Sequence, residues 1–132
     1  MSKNTTLGLA LVLVAALGAL HFLAGAFYFY WIYWWYDVMM HFLAGVALGF
    51  FVYWVCFKSG VFSKVEPRRV RAVLLTLLLV FLAGVTWEVF EYVNGFTDSQ
   101  EGYRLDTIND LIHDSVGAVL AGLIATRKRT NG

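Results

Sequence analysis

Four long stretches of this chain are predominantly apolar, and short polar segments separate them. They run over about residues 7–26, 37–57, 70–92 and 106–126. Each is close to the roughly 20 residues an α-helix needs to cross a bilayer. The pattern predicts an all-α protein, a four-helix polytopic transmembrane bundle, with residues 1–132 forming a single membrane domain. Between the first two spans, FYFYWIYWWY at residues 27–36 has nine aromatic residues in ten. Tyrosine and tryptophan concentrate at membrane–water interfaces, so this stretch reads as an interfacial belt.

Composition agrees with that class. Sixty per cent of residues are hydrophobic, 17% aromatic and only 14% charged, whereas about a quarter of residues are charged in soluble domains. A net charge of +1 makes no case for nucleic acid. The single cysteine, Cys56, excludes an intramolecular disulfide and reads as a packing residue. Lys3 ahead of the first apolar run resembles a secretory signal peptide; with Met1 present, the expectation is an uncleaved first span.

Lysine and arginine set the expected orientation, because they are enriched in loops kept in the cytoplasm. Lys58, Lys64, Arg68, Arg69 and Arg71 lie around the middle turn, Arg127, Lys128 and Arg129 at the C-terminal end, and Lys3 at the start. Nine of the ten basic residues therefore favour both termini cytoplasmic, and only Arg104 falls outside. The expected location is a bacterial or archaeal cytoplasmic membrane, crossed several times.

The acids go the other way. Of nine carboxylates only Glu66 is on the inner side, while Asp98 and Glu101 are in the outer loop. Asp37, Glu88, Glu91, Asp106, Asp110 and Asp114 lie on the helices near their outer ends, joined by His41, Asn109 and His113. Residues three or four apart share a helical face. Asp37 thus faces with His41, Glu88 with Glu91, and Asp106 with Asp110, His113 and Asp114. Each ionisable group costs roughly 2.5–3.5 kcal/mol at a helix centre and less towards the ends, so such groups normally face the bundle interior and mark a site.

Close carboxylates cannot all stay ionised in a low dielectric. Either several are protonated or a cation lies among them. Carboxylates with imidazole suit zinc, manganese or iron, and without it calcium or magnesium. The candidate metal ligands are His41, Glu88, Asp110, Asp114, Asp37, Asp106, Glu91 and His113. Asp106 and Asp114 are about 12 Å apart along one helix, too far for one ion's ligand set, so one deep metal or two are expected. Blander roles compete: Asp37 and Asp106 as helix N-caps, Thr107 with Asp110 as a capping-box-like pair, and His113 as a hydrogen-bond partner of Asp114. Gly84, Gly117 and Ala121 continue the polar faces and permit close helix approach.

The histidines also differ by context. HFLAG occurs at residues 21–25 and again at 41–45, and FLAG without the histidine at 81–84. His41 follows Asp37 by one turn. His21 has Leu17, Gly18, Ala24 and Gly25 at helical spacing and no acid, so it reads as interfacial or as a neighbour of the site.

Taken in order, YDVMMHFLAG at residues 36–45, WEVFE at 87–91 and DTINDLIHDSVGA at 106–118 resemble the VanZ-like superfamily and its neighbouring uncharacterised bacterial inner-membrane proteins. The resemblance spans about residues 36–125. It implies that Asp37, His41, Glu88, Glu91, Asp106, Asp110 and Asp114 form a polar constellation with Asn109 alongside. The chain departs from the namesake pattern at Glu91, where glutamine is more usual.

Three functions compete on these residues. A metal-binding membrane protein acting on an envelope lipid would be a hydrolase or transferase, with the metal activating water and Glu88 as candidate general base. HExxH, GxSxG and Walker A motifs are absent from the sequence, and Ser115 has no evident base relay. A proton- or cation-translocating protein would use the same acids; only Thr76 and Thr126 continue a polar path inward, so a homo-oligomer would be needed. A purely structural subunit would leave the clustered charge costly for no return. Membrane lipid is the expected partner.

Overall fold

The computed structural model describes residues 1–62, 68–95 and 103–127, so Lys64, Glu66, Pro67, Asp98, Glu101, Lys128 and Arg129 lie outside the described residues. The described chain is helical: α1 (Lys3–Phe27), α2 (Phe29–Ile32), α3 (Trp34–Phe57), α4 (Arg69–Asn94) and α5 (Tyr103–Ala125). Four helices, Lys3–Phe27, Trp34–Phe57, Arg69–Asn94 and Leu105–Ala125, are long and apolar enough to cross a membrane.

Local chemistry sets the ends. Ser2 caps α1 by accepting the Thr5 N–H at 3.1 Å, which brings polar Asn4, Thr5 and Thr6 into its first turn. Tyr28 closes α1 in the left-handed region at φ 59°, a conformation L-residues seldom adopt. Gly95, at φ 68°, closes α4 with its N–H on the Glu91 and Tyr92 carbonyls. Asp37 and Asp106 do not cap: α3 starts at Trp34 and α5 at Tyr103, so both acids lie inside the first turn. The flanking Trp34, Trp35, Tyr36 and Leu105 carry the helices outward by about a turn beyond the expected starts.

α3 and α5 form the closest pair, with α1 against α3, and α4 against α5 and, less extensively, α3. Their seam is built from absent side chains. A Cβ on Gly45 would come within 2.7 Å of the Asp114 carbonyl carbon and Cα, one on Gly49 within 2.7 Å of Ala121 Cβ, and one on Gly117 within 2.7 Å of the Val46 nitrogen. In lipid, where apolar burial drives little helix association, this backbone approach gains dispersion contacts.

Two apolar clusters occupy the two ends. Ala10, Val46, Phe50, Tyr53, Phe57, Ala72, Ala121 and Ala125 form one, with Met1 and Cys56 packed against it. Ala24, Tyr36 and Met40 form the other, bordered by Phe29 and Tyr30 of the aromatic segment. Met1 N donates to the Ala125 carbonyl at 3.2 Å and Lys3 Nζ to the Ser59 carbonyl at 3.5 Å. The two ends of the described chain and the start of the α3–α4 connection thus share one end of the bundle. The outer surface is studded with exposed leucine, valine, isoleucine and aromatic side chains, as lipid contact requires.

Candidate functional site

The close approach of α3 and α5 places His41 against the acids of α5. His41 Nε2 lies 3.9 Å from Asp37 Oδ1, one turn earlier on α3, and 3.6 Å from Asp110 Oδ2 of α5. Its other ring nitrogen, Nδ1, lies 3.5 Å from Asp114 Oδ1. One imidazole therefore bridges two successive turns of α5. Burial deepens inward: the Asp37 side chain is 41% exposed, His41 16% and Asp110 5%. Asp110 Oδ1 is buried with no hydrogen-bond partner, an arrangement that costs about 1–3 kcal/mol or more for a charged group.

Asp37, His41 and Asp110 each offer one ligand atom, and those atoms lie within 4.8 Å of one another. Donor atoms around one tetrahedral ion, with bonds of about 2.0–2.2 Å, lie about 3.3–3.6 Å apart, so the most widely spaced of these atoms would have to draw in by as much as about 1.2 Å to close on an ion.

α4 contributes differently. Glu88 is buried, and its Oε2 accepts a 2.7 Å hydrogen bond from the Thr107 hydroxyl of α5. Thr107 is inside the helix rather than capping it; its link to Glu88 joins α4 to α5 and has no signature in local spacing, because the partners are 19 residues apart. Thr107→Val should lower stability by about 1–3 kcal/mol, read as the midpoint of unfolding in mixed detergent micelles, and an unchanged midpoint would mean this bond contributes nothing. One turn inward of Glu88, Gly84 opens a notch: a Cβ there would stand 3.1 Å from Asp114 Oδ2 and 2.9 Å from Leu111 Cδ2.

The remaining candidates are not among the three clustered donors. His113 donates from Nδ1 to the Asn109 carbonyl on its own helix at 2.7 Å. Asp106 is exposed and Glu91 half-buried. His21 is exposed, with Nδ1 3.0 Å from the Tyr30 hydroxyl and the two rings edge to face at 5.9 Å. Burial, followed by the charge of Asp37, pushes the Tyr30 phenol up to about 12, so it stays a neutral hydroxyl at the rim of the site.

The family described as Predicted membrane protein (DUF2238) matches residues 3–131. The chain belongs to that family. It is a multi-pass membrane protein, in keeping with its four apolar helices. No curated protein and no solved structure gives a significant match.

Proposed function

We propose that this family member binds a divalent metal ion through His41, Asp37 and Asp110 near the outer face of a bacterial or archaeal cytoplasmic membrane, with both termini cytoplasmic. There it acts on an envelope lipid as a metal-dependent hydrolase or transferase. The observation that carries this reading is the Asp110 carboxylate: one oxygen meets His41 and the other is buried without a partner, beside two further donor atoms. A cation supplies what that oxygen lacks and offsets the surplus negative charge. Because the set includes an imidazole, zinc, manganese or iron suits it better than calcium or magnesium.

The exposed flank at Asp37 leaves room for a water or a lipid oxygen, and the aromatic residues beside it fit headgroup depth. The metal would lower the pKa of a bound water or polarise an ester oxygen. Glu88, on the neighbouring helix, is the group assigned to take the proton. Translocation of protons or cations through the same acids is less favoured, because beyond Asp114 the buried side chains include apolar Val80, Ala118 and Ala121, with Thr76 as the buried polar group.

Elemental analysis of purified protein tests the metal. About one zinc, manganese or iron per chain is expected in the wild type, and none in the Asp37→Asn, Asp110→Asn double variant. A wild-type protein that stays metal-free after equilibration with each ion, while proteoliposomes show a cation flux, overturns the reading in favour of transport.

A further inference from the structure

The two nitrogens of His41 face different surroundings, and the difference assigns a role to Asp114. Nε2 is turned to Asp37, on the flank that reaches the surface, and to Asp110 Oδ2, whose companion oxygen is buried without a partner. Nδ1 is turned the other way, to Asp114 Oδ1 at 3.5 Å, on a side chain only 9% exposed. Asp114 is itself held from behind. Its second oxygen occupies the notch left by Gly84, and its backbone is pressed against Gly45. It has little freedom to swing round to the Nε2 side.

Resting on the metal reading above, we infer that Asp114 is a positioning residue and not a ligand: it accepts the Nδ1–H of His41 and so presents the Nε2 lone pair to a cation shared with Asp37 and Asp110. An imidazole that binds a metal through one nitrogen commonly donates its other N–H to a carboxylate, which fixes the ring and raises its basicity. Here the sequence supplies both acids from one helix a turn apart. The ring of His41 sorts them, the outer one to the ion and the inner one to the proton. Gly84 is then part of the same device, because it admits the carboxylate that aims the ring.

The test uses full-length protein in lipid nanodiscs, labelled with ¹⁵N in its histidine rings and loaded with ¹¹³Cd²⁺ as the probe. His21→Gln and His113→Gln variants assign the signals. Cadmium coupling is expected at His41 Nε2, with a proton retained on Nδ1. Asp114→Asn keeps the shape and an accepting oxygen, so it should weaken cadmium binding about 10- to 100-fold while leaving the coupling on Nε2. Asp110→Asn should weaken it further. Coupling at Nδ1, or an Asp114→Asn affinity equal to wild type, overturns the assignment of Asp114 while leaving the metal site standing. Failure of the wild type to bind cadmium, zinc or manganese removes the metal reading itself, and the assignment with it.

Discussion

Gly45→Ala and Gly117→Ala are each expected to destabilise the bundle by about 3 kcal/mol, the upper end of what overpacking usually costs. At both positions the added methyl meets backbone of the partner helix, at Asp114 for Gly45 and at Phe42 and Val46 for Gly117. Backbone cannot rotate out of the way, so α3 and α5 must separate along the seam that brings His41 to Asp110 and Asp114. Cation binding should therefore fall together with stability. Gly8, Gly18 and Gly25 of α1 provide the control, since a Cβ at any of them meets nothing within 4 Å. Alanine there should leave stability unchanged or raise it slightly through helix propensity. Unfolding midpoints in mixed detergent micelles, compared across all five variants, decide the matter. Equal effects in the two sets would mean that the seam is not what holds α3 to α5.

The spans were legible because twenty apolar residues in a row admit few other readings, whereas the pairing of helices was harder to read. Its signal was present as Gly45 and Gly49 on α3 against Gly117 and Ala121 on α5, small residues four apart on both helices. Such spacing says that a helix has a close neighbour without saying which one. Helix starts lie within about a turn of the expected spans. The aromatic run and the residues before Asp106 look like interface and loop, yet they form the first turns of α3 and α5.

For the polar cluster, spacing alone put Asp37 beside His41 and Asp110 beside Asp114. What it could not supply was the direction of the imidazole, which depends on the register between α3 and α5 set by the glycines. Nor could it separate His113, turned back to the Asn109 carbonyl, from an acid-facing histidine on the same helix. Thr107 read locally as a cap and serves instead as a link between helices to Glu88.

His41 and Asp110 should respond to substitution with opposite signs in metal-free protein. His41→Gln replaces the imidazole that Asp37, Asp110 and Asp114 share with a neutral amide, which can donate a hydrogen bond but cannot carry a positive charge. Three carboxylates then face one another at the helix seam, and a loss of about 3–5 kcal/mol is expected, as when a buried ion pair loses one member. Asp110→Asn removes one of the three like charges and gives the buried position a group that can donate as well as accept. It should raise the stability of the metal-free protein by about 0.5–2 kcal/mol, as relief of functional strain commonly does, while reducing divalent-metal affinity. Adding zinc to the wild type should reproduce the stabilisation seen in Asp110→Asn, in proportion to the logarithm of its concentration, and zinc should leave the His41→Gln variant unaffected. The comparison separates a binding site from a structural bridge. If the acids only tied helices together, Asp110→Asn would weaken the fold as His41→Gln does, and zinc would shift neither midpoint. A gain in stability bought with a loss of binding is the mark of residues placed for a ligand.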